Sequence, residues 1–194
     1  MILPIYAYGS PVLREECEEI EEGKDITKLL SDMFETMYNS QGVGLAAPQV
    51  GKALRLFLVD TAPFAEDEPK TEEEAKNMEI LKNFKKVFIN PIIEEETGKE
   101  WAFSEGCLSI PNIREDVFRK SVIKISYFDE NWDFKEESYT GVVARVIQHE
   151  YDHVEGVLFT DYANPLKKRM LKRKLTDISK GLVDVSYRMS FPKK

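Results

Sequence analysis

The chain holds only two histidines, and both fall in one five-residue word, His149-Glu150-Tyr151-Asp152-His153. Residues four apart on a helix lie one turn above each other on the same face, so the word constrains its segment to a helix with both imidazoles aimed one way. Two imidazoles at that spacing can grip one metal ion, and a Glu after the first can serve as a base beside it. The helical reading has independent support. Val142, Val146, His149 and His153 fall at i, i+4, i+7 and i+11, so the two histidines prolong an apolar stripe and sit at the edge of a core. The plain alternative is an ordinary helix whose histidines are satisfied in the core or by solvent.

A catalytic metal site needs three protein ligands and an open position. One protease pattern places a third His six residues after the second, but position 159 is Phe. A carboxylate such as Asp161 or Asp177 remains open as the third ligand. Cys107, in Glu105-Gly106-Cys107-Leu108-Ser109, is the better candidate, because a thiolate is a strong ligand for a borderline-soft ion. Read alone, Cys107 is a small buried residue. A third segment, Gly42-Val43-Gly44-Leu45-Ala46-Ala47-Pro48-Gln49, follows a helix and lacks the phosphate-loop pattern. It is either a tight apolar turn or a loop whose backbone nears a ligand, with the Gln49 amide as a hydrogen-bond donor.

The rest of the chain supplies a frame. Ile26, Leu29, Leu30, Met33 and Met37 recur at helical spacing, with Asp25 as expected N-cap and an end near Gln41. Strands are expected at Leu54–Asp60, Val87–Glu94, Val122–Phe128 and Lys135–Tyr139, the last two joined by a turn at Asp129-Glu130-Asn131. Thr140 is the expected cap of the histidine helix. Residues 62–86 form an acidic insert, read as a surface excursion with a short helix capped by Thr71. Residues 165–194 give a basic helix and an extended tail. Leu171, Leu175, Ile178 and Leu182 line one side, and Lys167, Lys168, Arg169, Lys172, Arg173 and Lys174 surround the rest.

A length of 194 residues suits one domain. With 35 acidic against 27 basic side chains the net charge is −8, which argues against a general DNA binder. No apolar run approaches the roughly 20 residues of a membrane span, and the N-terminus lacks the basic region of a signal peptide. Two cysteines are too few for a disulfide framework, so the expected location is the cytoplasm.

Taken together, GVGLAAPQ at 42–49, EGCLS at 105–109 and QHEYDH at 148–153 resemble the peptide deformylase family, which carries G-x-G-[IL]-A-A-x-Q, E-G-C-[LV]-S and Q-H-E-x-D-H in this order. The resemblance runs from Pro11 to about Asp161. It implies an α+β catalytic domain over residues 1–194, with antiparallel β-sheets packed around a central HExxH helix and flanked by an N-terminal and a C-terminal helix. It implies Cys107, His149 and His153 as ligands of one divalent metal, Fe2+ physiologically, with Zn2+, Ni2+ or Co2+ able to take its place. Glu150 becomes the base that takes a proton from water, and Gln49 with the Leu108 N–H binds the oxyanion. Glu105 and Arg119 form a supporting pair behind the cysteine loop. Val142 and Val146 are candidate walls of an apolar methionine slot, with Gly44 and Leu45 at its rim, though Val142 and Val146 also fit plain packing. The implied substrates are N-formylmethionyl nascent peptides, with formate released. The basic helix would suit contact with the ribosome, or simply a solvated cationic face. Val154 departs from the family's usual Leu, and the insert is longer than in many members. The competing readings are a zinc endopeptidase with a carboxylate third ligand and a metal-stabilised binding module.

Overall fold

A computed structural model describes residues 1–65 and 71–192. Residues 66–70 of the acidic insert, and the last two of the tail, lie outside the described residues. In chain order the elements are β1 (Ile5–Tyr6), α1 (Thr27–Asn39), β2 (Gly44–Ala46), β3 (Leu56–Asp60), α2 (Glu72–Asn83), β4 (Lys85–Cys107), β5 (Ile110–Phe128), β6 (Phe134–Thr140), α3 (Gly141–Val154), α4 (Pro165–Ser179) and β7 (Met189–Ser190). The class is α+β. An antiparallel sheet of five strands runs in the order β2-β3-β4-β5-β6, and β1 pairs separately with β7. That second pair is parallel, tying the N-terminal arm to the C-terminal tail. No helix among the described residues is long and apolar enough to cross a membrane.

Strand alternation divides the core in two, because successive side chains point to opposite faces. Phe57 and Val59 of β3 face α3 and join Val143, Val146 and Ile147. Leu56 and Leu58 face the other way and meet Met33 and Met37 of α1. The same rule governs β2. Ala46 packs with the α3 layer, whereas Leu45 is fully buried with the α1 layer. A third cluster seats Leu171, Leu175 and Ile178 of α4 against Ile113 and Val117 of β5.

The long β4–β5 hairpin exceeds what the sequence suggests. Alternation is clear only around Val87–Glu94 and Val122–Phe128, yet pairing continues through irregular registers to Cys107 opposite Ile110. Three local expectations need correction. The N-cap of α1 is Ile26, and Asp25 instead accepts the Thr27 N–H at 3.0 Å from just outside the helix. Thr140 does occupy the N-cap position of α3, but its hydroxyl makes no cap bond, and Gly141 follows at φ 60°. Leu182 falls beyond the end of α4 and is exposed rather than continuing the buried stripe. In the insert, Thr71 caps α2 by accepting the Glu74 N–H at 3.1 Å, and α2 has no buried residue.

Candidate metal centre

Two elements bring the donors together. The helical repeat stacks His149 and His153 of α3, with ring centroids 5.2 Å apart. The last residue of β4 brings Cys107 to them, its Sγ 3.3 Å from His153 Nε2. One atom from each of these three side chains lies within 4.8 Å of the others. No other His, Cys, Asp or Glu trio converges this way among the described residues. Asp161 is engaged elsewhere, in a two-pronged pair with Arg14 at 2.5 and 3.0 Å. A thiol with two imidazoles suits a borderline-soft divalent ion, and three ligands leave a coordination position for chemistry.

Behind His149 lies a buried ion cage. Glu105, only 4% exposed, takes both prongs of Arg119, Nε at 2.7 Å and Nη2 at 2.9 Å. Its Oε2 also meets His149 Nδ1 at 2.9 Å. That contact assigns the proton to Nδ1 and leaves Nε2 as the donor toward an ion. Burial works against the Glu105 charge, but hydrogen bonds from Arg119 and His149 win and hold the carboxyl well below its usual range. Arg119 continues to Asp152 at 2.7 Å and lies over the Tyr162 ring.

Arg145, 1% exposed and one turn before His149, is absent from the residues the sequence motifs single out. It reaches Glu105 Oε1 at 3.1 Å, the Val117 carbonyl at 3.0 Å and the Trp101 carbonyl at 2.6 Å. A charged residue inside the apolar run Val142–Ile147 was the available signal, since a buried guanidinium demands partners. Tyr187 in the tail had none. Its hydroxyl donates to the Leu108 carbonyl at 2.8 Å.

Glu150 is 4% exposed, and burial pushes its carboxyl up to about 7. Its Oε2 has no hydrogen-bond partner among the described residues, and neither has His153 Nδ1. Burial also drives His153 well below the usual histidine range. Gly44 makes room for Glu150: a Cβ there would stand 2.3 Å from Glu150 Oε1. The Gln49 side chain is held by the Ala46 N–H, which donates to its Oε1 at 2.8 Å, so Nε2 turns toward Cys107 Sγ at 3.3 Å.

These residues border a cleft of about 870 Å³. Gly44, Gln49, Leu108, Val146, His149 and Glu150 line it. Val142 and Leu45 do not. Val142 packs against the α3 core cluster, and Leu45 points to the opposite face of β2 from its neighbour Ala46. Of the insert, Phe64 reaches the cleft wall.

Comparison with known proteins agrees with this geometry. Residues 2–169 match the family model described as polypeptide deformylase. The peptide deformylase of Christiangramia forsetii is 58% identical over 193 residues, covering 99% of this chain and 97% of the relative. That of Flavobacterium psychrophilum is 55% identical over 196 residues, covering all of both chains. The crystal structure of peptide deformylase from Thermus thermophilus superposes with a TM-score of 0.78 at 33% identity, covering 94% of this chain and 100% of that one. The chain thus belongs to the polypeptide deformylase family, the metal-dependent hydrolases that remove the N-formyl group from nascent polypeptides.

Proposed function

We propose that Cys107, His149 and His153 hold one divalent cation, that Glu150 carries the proton, and that Gln49 and Leu108 receive the oxyanion. The observation that carries this reading is the convergence of the three donors beside a buried carboxylate with an unpartnered oxygen. Bound there, a divalent ion, which we take to be Fe2+ with Zn2+, Ni2+ or Co2+ as substitutes, supplies Lewis acidity toward water and the formyl carbonyl.

The chain's own residues do the rest. Glu150 Oε2 accepts the proton of the attacking water and returns it to the leaving amine, so one carboxylate acts as base and then acid. Negative charge growing on the formyl oxygen meets the Gln49 Nε2–H and the Leu108 N–H, and losing one such donor typically costs about 10²–10³ in rate. Gln49 suits this because its orientation is already fixed through Oε1. The Tyr187 hydroxyl steadies Leu108 through its carbonyl. The Glu105–Arg119 pair keeps His149 in one tautomer and one orientation. Val146 and Gly44 border the space for the methionine side chain.

The products are formate and a peptide with a free amino terminus. Protein purified without oxygen should release formate from formyl-Met-Ala-Ser. Metal-loaded protein that releases none would overturn the reading.

Two finer points follow. Substrate chains emerge in the cytoplasm, which is the location we assign. The solvent-facing Lys168, Arg169, Lys172, Arg173 and Lys174 of α4 can rest against ribosomal RNA phosphates. Salt-sensitive cosedimentation with ribosomes should weaken on K172A/R173A/K174A. Unchanged cosedimentation would remove α4 from that role.

A further inference from the structure

A second cavity, of about 340 Å³, lies beside α3 and shares no lining residue with the metal cleft. Gln148, Tyr151 and Asp152 border it from α3, roughly a third of a turn round the helix from the two imidazoles. Glu94, Glu95 and Glu96 border it from β4.

Its charges are out of balance. Four carboxylates meet one guanidinium, that of Arg119, which is already spread over Asp152 at 2.7 Å and Glu105 at 2.7 Å. The neighbouring lysines are engaged elsewhere. Lys124 stands opposite Glu95 across the ladder yet pairs with Glu136 at 2.6 Å, and Lys120 pairs with Glu100 at 3.7 Å. Glu94 is held by a neutral donor, the Ser126 hydroxyl, at 2.7 Å.

A buried acceptor stands among these charges. Gln148 is 2% exposed, and its Nε2 donates to Glu96 Oε1 at 2.7 Å and to the Lys120 carbonyl at 3.3 Å. Both partners are acceptors, which fixes the orientation of the amide. Its Oε1 is left without a partner among the described residues. A buried oxygen left unpaired costs free energy that an arriving donor recovers. Because the Glu96 carboxylate lies on the same amide, a cation drawn to Glu96 is brought next to that oxygen.

The spacing of the acids says which cation fits. A bare divalent ion needs its oxygens close together. No three of these carboxylates bring their oxygens within 4.8 Å of one another among the described residues. Separated acids suit a flexible chain carrying several ammonium groups, and Tyr151 and Tyr162 offer apolar surface to the methylenes between them.

We propose that this cavity binds a linear aliphatic polyamine, its ammonium groups donating to Glu95, Glu96 and Gln148 Oε1. The site stands apart from the deformylase reading, since none of these three groups takes part in the chemistry assigned to the cleft. It adjoins the metal centre only through Asp152, which shares Arg119 with Glu105.

The test titrates isotope-labelled, zinc-loaded protein with spermidine at low ionic strength and follows it by NMR. Signals of Gln148, its side-chain amide included, and of Tyr151 and Tyr162 should shift together and saturate with one-to-one stoichiometry. Putrescine, with fewer ammonium groups, should bind about 3–10-fold more weakly, and Mg2+ should give no saturating shift at these residues. E95Q/E96Q should weaken spermidine by about 3–10-fold. E72Q/E73Q removes the same charge from α2, away from the cavity, and should change affinity by less than about twofold. Shifts that scatter over the surface without saturating would leave the Gln148 oxygen to solvent and overturn the proposal. Equal losses in the two double variants would reduce the binding to general attraction by an acidic protein and overturn it as well. Mg2+ reproducing the saturating shifts would put a metal ion in place of the polyamine.

Discussion

Helices α2 and α3 start alike and are held in opposite ways. Each follows a threonine with nearly the same backbone, Thr71 at φ −134°, ψ 161° and Thr140 at φ −134°, ψ 166°. Thr71 closes its cap bond, three glutamates occupy the first turn at the positive end of α2, and none of its residues is buried. Thr140 makes no cap bond, yet nine residues of α3 are buried, including a fully enclosed arginine. Local chemistry specifies α2. Tertiary burial specifies α3, and two of the three proposed metal donors, His149 and His153, ride on this second kind of helix. A helix clamped from all sides holds side chains to the tolerance catalysis needs, which a solvent-held helix cannot.

Five substitutions probe that contrast, and the largest effects belong to α3. Glu150→Ala should retain bound metal and lose about 10²–10⁴ of turnover, the usual share of a general acid–base. Metal analysis beside formate release checks it, and near-normal turnover would remove Glu150 from its role. Gly44→Ala should cost about 10² in kcat, since the new Cβ would strike Glu150 Oε1 and shift the carboxylate by about an ångström. Unaltered kcat would show that the base tolerates displacement.

Glu105→Gln breaks the cage behind His149 and strands two buried arginines. Metal affinity should drop about 10–100-fold, and unfolding should become easier by about 3–5 kcal/mol. A chelator competition and a denaturant melt measure the two; no change in either would mean that Glu105 neither orients His149 nor supports α3.

Thr71→Ala should cost about 1 kcal/mol, confined to α2. Hydrogen exchange should rise there while metal content stays constant. A matching rise in α3 would erase the distinction between the helices.

The smallest expected effect lies where the two helices connect. Phe84 at the end of α2 packs edge-on against Tyr139 of β6, 5.3 Å between centroids. Although burial opposes it, hydrogen bonds from Lys86, Tyr127 and Tyr139 lower the neighbouring Glu137 carboxyl to about 2. A carboxyl depressed in the folded state stabilises fully above its unfolded pKa near 4.5, and that contribution fades as pH falls toward about 2. Glu137→Gln should therefore narrow the difference in stability between neutral and acid pH relative to native protein. Parallel melting curves at all pH values would contradict it.

Much of this was legible in residue order. Spacing alone aligned His149 with His153, and Leu54–Asp60 announced its strand. Leu45 was not legible as a core residue, because a three-residue strand is too short for alternation to show which side faces α1. The far half of the β4–β5 hairpin was hidden as well. Its run of Glu94, Glu95, Glu96 and Thr97 is exposed, so burial leaves no pattern there. Arg145 carries a signal in residue order, a charge within the apolar run Val142–Ile147, but its partners Glu105, Val117 and Trp101 are distant in the chain.

Short-range periodicity therefore settles which groups share a helical turn, since the 3.6-residue repeat needs no other part of the chain. The meeting of Cys107 with His153 across 46 residues, and of Arg145 with Glu105 across 40, was decided only by folding. Those contacts depend on how far an irregular hairpin extends and which face of α3 it covers, and both are chosen by packing of the whole molecule.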